Sequence, residues 1–228
     1  MKNYISNKKI FILIPAYNEE KIIKSVINDI KKIGYNNIIV IDDGSTDLTY
    51  NHINQDNIIT LRHLINRGKG AAVKTGIEAA KILGADILIT MDGDGQHNPE
   101  DINKMVRLLN NNDIVLGTRM KNTKNMPFYK VISNKIGNYL TWIAYGILVS
   151  DSQSGFRAYT KKALDLIDTQ SDKYEYDSEV LREIKRNNLK YIEIPVEVRY
   201  TKYSMNKQNK QNLKNGIKTA IKMFMSNQ

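Results

Sequence analysis

An uninterrupted apolar run, Ile87-Leu88-Ile89-Thr90-Met91, stops abruptly at Asp92-Gly93-Asp94-Gly95-Gln96-His97. The short, β-branched stretch from Ala85 to Met91 predicts a strand covered on both faces, and the glycines predict a sharp turn at its carboxyl end. Open parallel sheets bind their ligands at that end. Side chains two apart in an extended segment share a face, so Asp92, Asp94 and Gln96 converge if strand geometry persists through the turn. Oxygen donors of this kind suit Mg²⁺ or Mn²⁺ and leave coordination positions for phosphate oxygens. The same letters also describe a polar Asp/Gly turn with no metal. His97 is expected to be a turn residue, not a ligand.

The rest of the chain repeats this punctuation. Lys8 to Ile14 is apolar and closes in Pro15-Ala16-Tyr17-Asn18-Glu19-Glu20, after which Ile22, Ile23, Val26, Ile27, Ile30 and Ile33 follow helical spacing. Asn37 to Ile41 is a second strand, ending in Asp42-Asp43-Gly44-Ser45-Thr46-Asp47, with Ser45 or Thr46 placed to cap the next helix. Ile58 to Leu61 is a weaker third strand. Asn66-Arg67-Gly68-Lys69-Gly70 then leads into a helix from Ala71 to Leu83, with Val73, Ile77, Ala80 and Ile82 as core positions. Gly68-Lys69-Gly70 resembles a phosphate loop at a helix start, although the Walker spacing is absent.

Pro99 and Glu100 open a helix whose inward residues are Ile102, Met105, Val106 and Leu109. Asp113 to Gly117 returns as a strand ending in Thr118-Arg119. Ile136 to Ser150 is free of charge and carries Tyr139, Trp142 and Tyr145. It is too short to span a bilayer, which needs about 20 apolar residues, and reads either as a core helix or as an interfacial one. A loop, Asp151 to Phe156, enters a short strand; Asp177 to Lys185 is helical, and Tyr191 to Val198 is a strand that Pro195 consigns to an edge. Strands alternating with helices predict right-handed crossovers, hence an α/β fold with a mainly parallel sheet.

Length and charge narrow the function classes. The 228 residues are within the range of one α/β domain with a functional tail. There are no cysteines, so disulfide frameworks and thiolate metal sites are excluded, which fits a cytosolic protein. Met1 to Lys9 has no apolar signal region, and secretion is not expected. The net charge of +10 is local: Arg199, Lys202, Lys207, Lys210, Lys214, Lys218 and Lys222 follow Glu197 without any acid. Such a segment binds acidic membrane surfaces or nucleic acid. Leu213, Ile217, Ala220, Ile221 and Phe224 make one helical stripe beside the lysines, suiting either peripheral attachment or packing on the domain.

Taken in order, Pro15-Ala16-Tyr17-Asn18-Glu19, Asp42-Asp43-Gly44-Ser45-Thr46-Asp47, Asp92-Gly93-Asp94-Gly95-Gln96 and Gln153-Ser154-Gly155-Phe156-Arg157 resemble family 2 glycosyltransferases. The branch most similar is the dolichol-phosphate mannosyltransferase-like, or polyprenyl-phosphate, one. The resemblance covers roughly Ile10 to Tyr203 and rests on the ordered set. It implies the GT-A fold, a doubly wound nucleotide-binding sheet with helices on both faces, as a catalytic domain over residues 1–203 followed by a basic amphipathic tail over 204–228.

The resemblance also implies site roles. Pro15, Tyr17, Asn18 and Glu19, with Asp42, Asp43 and Gly44, are expected around the donor nucleoside, where carboxylates accept from base and ribose. Asp92 and Gly93 are expected at the donor diphosphate, Lys69 and Arg119 at that diphosphate or at the acceptor phosphate, and Asp92, Asp94 and Gln96 at a Mg²⁺ or Mn²⁺ ion. Gln153, Ser154, Gly155 and Arg157 are expected at the acceptor. Asp151, Arg157 and Asp94 are the catalytic candidates, with Asp151 a base, an acceptor-site carboxylate or a turn residue. Inverting transfer from a nucleotide sugar to a polyprenyl phosphate is the expected reaction, at the cytoplasmic face of the membrane without a spanning helix, on an anionic surface. Transfer to a polysaccharide or glycolipid is the alternative acceptor class. A nucleic-acid-binding protein would place aromatic residues among its cations, whereas this tail is mostly Lys and Asn. A sugar nucleotidyltransferase would carry a basic, glycine-rich first loop where Pro15 to Glu20 is acidic.

Overall fold

A computed structural model describes residues 7–54, 57–120, 128–173 and 175–199. The basic tail predicted over 204–228 lies outside the described residues. The strands are β1 (Ile10–Ala16), β2 (Ile38–Asp42), β3 (Ile59–Arg62), β4 (Ile87–Thr90), β5 (Ile114–Thr118), β6 (Arg157–Thr160) and β7 (Tyr191–Pro195). Between them run α1 (Ile23–Lys32), α2 (Thr49–Ile53), α3 (Lys69–Ile82), α4 (Asp101–Leu108), α5 (Phe128–Tyr145), α6 (Lys161–Leu166) and α7 (Glu175–Arg186). Among the described residues the strands form one sheet in the order β3-β2-β1-β4-β6-β5-β7.

β2, β1 and β4 are buried on both faces, as their continuous β-branched sequences require. Alternation divides the core: Ile12, Ile14, Val40 and Ile89 face α1 and α4, while Leu13, Ile39, Ile41 and Leu88 face α3 and α7. On α1 the stripe Ile23, Val26, Ile27 and Ile30 is buried. Every strand pair is parallel except those made by β6, which runs against both β4 and β5. The doubly wound, mainly parallel prediction therefore holds. β7 lies at the edge, as Pro195 requires, and pairs in parallel with β5.

Four local expectations are corrected. Ile82 is 85% exposed, because the buried stripe of α3 runs through Val73, Ile77 and Ala80 and leaves Ile82 on the opposite side. Neither Ser45 nor Thr46 caps α2. Asp47 accepts from the Thr49 amide at 3.0 Å, and the Ser45 hydroxyl accepts from the Asn18 amide at 2.9 Å. The helix expected within 136–150 instead ends at Tyr145, and Ile147 and Val149 enter the core from the chain beyond it. β4 ends at Thr90, so Asp92 to Gly95 form a turn and the extended geometry invoked for Asp92, Asp94 and Gln96 does not reach them.

The order of winding matters most for the site. The chain moves from β1 outward to β2 and β3, then crosses back to β4 on the other side of β1. This switch point lies between β1 and β4, and the loops after both strands open there.

Candidate active site

Five strand ends and two helix starts converge at the switch point. Pro15, Lys69, Asp92, Gly155, Arg157 and Asp177 line a small cleft, closed beneath by Tyr159 and Tyr176. β6 contributes because it is reversed: its first residue, Arg157, stands opposite Thr90, the last of β4. The Thr90 hydroxyl donates to the Gly155 carbonyl at 2.7 Å, tying the Asp92 turn to the Gln153–Arg157 loop. Gly155 leaves the space that the Asp92–Lys69 pair occupies. A Cβ there would stand 2.8 Å from Asp92 Oδ1 and nearer still to Lys69 Nζ.

Asp92 is the open carboxylate of the cleft, with its side chain 30% exposed. Lys69 Nζ pairs with it at 3.0 Å and with Asp177 at 3.2 Å. Burial alone would raise the Asp92 carboxyl's pKa, but Lys69 above all, with Arg119, holds it far below the usual carboxylate range. Burial would likewise discharge Lys69, yet Asp177 and Asp92 outweigh it and keep the ammonium strongly basic. Asp94, also part-exposed, accepts from the Gln96 amide at 3.0 Å and from the Gln96 side chain. Gln96 is itself buried.

His97 is more than a turn residue. It is buried, stacks on Phe156 at 4.8 Å between ring centroids, and accepts from the Asp92 amide at Nδ1, 3.2 Å away. Burial lowers its pKa, against the pull of Asp92 and Asp94. The acceptor role requires Nδ1 unprotonated, consistent with a neutral ring that holds the turn in place.

The nucleoside-side residues form a laced wall. Asn18, at φ 53°, accepts from the Thr46 amide at 2.9 Å, and the Glu19 amide donates to Thr49 at 2.7 Å. Glu19 is buried and its carbonyl receives the Ile22 and Ile23 amides, starting α1; Tyr17 stays exposed. Asp43 has both oxygens engaged: Oδ1 meets His63 at 2.7 Å and the Arg67 amide at 3.0 Å, and Oδ2 the Gly68 amide at 2.7 Å. The expected phosphate loop therefore spends two of its amides on Asp43, and the Ala71 amide goes to the Asp172 carbonyl at 3.0 Å. Gly44 allows this folding-over, since at φ 69° a Cβ would lie 2.5 Å from the Ile65 backbone. Asp42 keeps Oδ2 without a hydrogen bond; Arg62 Nε stands 3.0 Å away, close enough to pair charge but not aligned to donate.

On the other flank Arg119 grips the buried Asp151 with Nε at 2.7 Å, Nη2 at 2.8 Å and its own amide at 3.0 Å. Burial would raise the Asp151 carboxyl, but Arg119 holds it below its ordinary value. Arg157 is only 2% exposed. Its guanidinium donates to the carbonyls of Ser154 at 2.9 Å, Ser152 at 3.2 Å and Asp177 at 2.9 Å. Nη1 of Arg157 and the hydroxyls of Tyr159 and Tyr176 are buried without an aligned hydrogen bond among the described residues. Ser154 and Gly155 are buried and Gln153 is exposed. Sequence reasoning missed Asp177, His63, Tyr159 and Tyr176. Two acids in the first turn of α7, Glu175 and Asp177, were the available signal, but they read equally as helix-dipole partners.

Among the described residues no three His, Cys, Asp or Glu side chains form a ready metal cage. The pair Asp92 and Asp94 nevertheless fits Mg²⁺ or Mn²⁺. Such ions take one or two carboxylates and complete their shell with water and substrate phosphates, and both carboxylates are part-exposed.

Carboxylates and basic side chains gathered at the switch point of a doubly wound, mainly parallel sheet define the GT-A class of fold. Residues 11–167 match the pattern described as "Glycosyl transferase family 2", and the chain belongs to that family. An uncharacterized protein of Methanocaldococcus jannaschii is 42% identical over 98% of this chain and 94% of its own. The UDP-N-acetylglucosamine–dolichyl-phosphate N-acetylglucosaminyltransferase of Methanococcus voltae is 39% identical over 97% of each chain. Mycobacterium tuberculosis glucosyl-3-phosphoglycerate synthase, solved with Mn²⁺, UDP and phosphoglyceric acid, superposes with a TM-score of 0.72 at 19% identity, over 97% of this chain and 78% of the other.

Proposed function

We propose that this protein transfers one sugar, with inversion, from a nucleotide-sugar donor to a polyprenyl phosphate such as a dolichyl phosphate, using Mg²⁺ or Mn²⁺ at the donor diphosphate. The observation that carries the reading is the union of the Asp92 turn with the Gly155–Arg157 loop and the start of α3, which sets a part-exposed carboxylate 3.0 Å from the Lys69 ammonium at the switch point. The full-length similarity to a dolichyl-phosphate N-acetylglucosaminyltransferase supports the lipid acceptor.

Asp92 and Asp94 would hold the ion, which supplies positive charge where the leaving diphosphate becomes more negative. Gln96 orients Asp94. Asp42, fully buried with Oδ1 on the Ser45 amide and Oδ2 against Arg62, and Asp43, spent on the loop amides, both shape the wall on which the nucleoside would rest. An acceptor phosphate oxygen attacks the anomeric carbon as the sugar–phosphate bond breaks, and the electron pair leaves on the nucleotide. That oxygen is already ionised near neutral pH, so no strong base is needed. Asp151 therefore serves to aim Arg119 at the acceptor side, and Arg157 braces the Ser152–Gly155 backbone that Gln153 projects from. Among the described residues no helix is long and apolar enough to cross a membrane, and peripheral attachment would deliver the lipid acceptor.

Incubation with a panel of radiolabelled nucleotide sugars, UDP-N-acetylglucosamine included, and dolichyl or undecaprenyl phosphate should give an acid-labile, lipid-soluble sugar phosphate. Chelation or Asp94→Asn should lower the rate by about 100-fold or more. Incorporation confined to polysaccharide primers, or undiminished in excess chelator, would overturn the acceptor or the metal part of the reading respectively.

A further inference from the structure

Lys69 is the first residue of α3, and its ammonium is shared between two acids of unequal setting. Asp92 faces the cleft, whereas Asp177 is only 10% exposed and is anchored from behind. Its carbonyl receives Arg157 Nη2 at 2.9 Å, and its carboxylate stands 3.7 Å from the same guanidinium. A divalent ion arriving at Asp92 meets an ammonium already in place at 3.0 Å, and two cations on one carboxylate repel strongly in so enclosed a cleft. A lysine with no second partner would have to block the ion or be expelled. This lysine has one 3.2 Å away, and needs no more than a turn of its flexible stem to rely on it.

We propose that Lys69 is the resident counter-cation of Asp92, and that Asp177 is the positioning residue that retains it when a divalent ion takes Asp92 over. The ammonium then stays beside the incoming diphosphate instead of leaving the cleft. Gly155 leaves room for the pair, since a Cβ there would stand less than 3 Å from both Lys69 Nζ and Asp92 Oδ1. The proposal rests on the reading of Asp92 and Asp94 as ion ligands. It assigns opposite effects to two residues that merely structural roles would make alike.

The test is titration of the full-length chain with Mn²⁺ alone, and again with UDP, following free Mn²⁺ by electron paramagnetic resonance. Lys69→Met should tighten Mn²⁺ binding without nucleotide by about tenfold, because the competing charge is gone. Lys69→Gln serves as a second neutral variant, and melting by circular dichroism checks that each is folded. Asp177→Asn should weaken Mn²⁺ binding several-fold, because Lys69 then depends on Asp92 alone. In the Lys69→Met background that weakening should nearly vanish, a coupling expected when one residue acts through the other. With UDP present, Asp177→Asn should also bind the nucleotide more weakly. Unchanged Mn²⁺ affinity in both folded single variants, or an Asp177→Asn loss that persists in full without Lys69, overturns the proposal and leaves the metal site standing. Absence of Mn²⁺ binding by the wild type, with or without UDP, overturns the metal site and the proposal together.

Discussion

Arg119 and Asp151 illustrate how a residue's neighbours decide its chemistry. From sequence, Asp151 is a base candidate and Arg119 a phosphate ligand. In the fold they make three hydrogen bonds to each other, and the carboxyl is held in its ionised form by the guanidinium. If Asp151 aims Arg119, Asp151→Asn and Arg119→Lys should each reduce transfer by about 10- to 100-fold, chiefly through acceptor KM, and the double variant should be little worse than either. Steady-state kinetics at varied acceptor concentration measures this. A loss in kcat confined to Asp151→Asn, with normal turnover in Arg119→Lys, would instead mark a proton-abstracting base. Lys69 and Asp177 teach the same lesson, being 108 positions apart yet in contact at 3.2 Å.

Among the elements, α5 most directly answers a question left open by sequence. Its core or interfacial character is settled in part: Thr141 and Asn134 are buried, while Ile132, Ile136, Tyr139, Trp142 and Ile143 are exposed, and Tyr139 and Trp142 lie 5.9 Å apart at their ring centroids. An outward row of large apolar side chains is costly in water and suits the headgroup boundary of a bilayer. Trp142 is the chain's single tryptophan, so its emission reports this face alone. Addition of anionic vesicles should shift that emission to the blue. Ile136→Ser with Ile143→Ser should weaken vesicle binding by about tenfold or more at constant thermal stability, each side chain contributing about 1 kcal/mol or more when buried. An unshifted emission at saturating lipid would show that α5 stays out of the bilayer.

At the scale of the whole molecule, ion pairs that join distant segments at the switch point couple stability to pH. The Asp151 carboxyl is depressed in the fold below its ordinary value of 3.8, so its contribution is complete above that pH and is lost as pH falls below it. Thermal melts should therefore be nearly level from neutrality to about pH 5 and fall steeply below about pH 4. Asp151→Asn should start less stable and show a shallower acid limb. An unchanged acid limb in that variant would mean that Asp151 carries no folded-state shift.

The α/β class, the mainly parallel winding, the edge position of β7 and the acidic strand ends were all legible in the amino-acid order, because they follow from local periodicity and from what glycine, proline and carboxylates do to a chain. The sequence also carried the ordered motifs of the family. What it left undecided was the direction of β6, since a four-residue strand reads the same both ways, and that reversal is what brings Gly155 and Arg157 to Asp92. Sequence could not tell that Asp42 and Asp43 are both consumed within the fold, Asp42 by Ser45 and Arg62 and Asp43 by His63 and the Arg67–Gly68 amides, because all of those partners but Ser45 come from segments that only the sheet order brings alongside. Nor could it pair Lys69 with Asp177 or Arg119 with Asp151. Charge pairing across tens of residues is decided by which helix and strand ends the sheet order brings together, and only the tertiary structure holds that information.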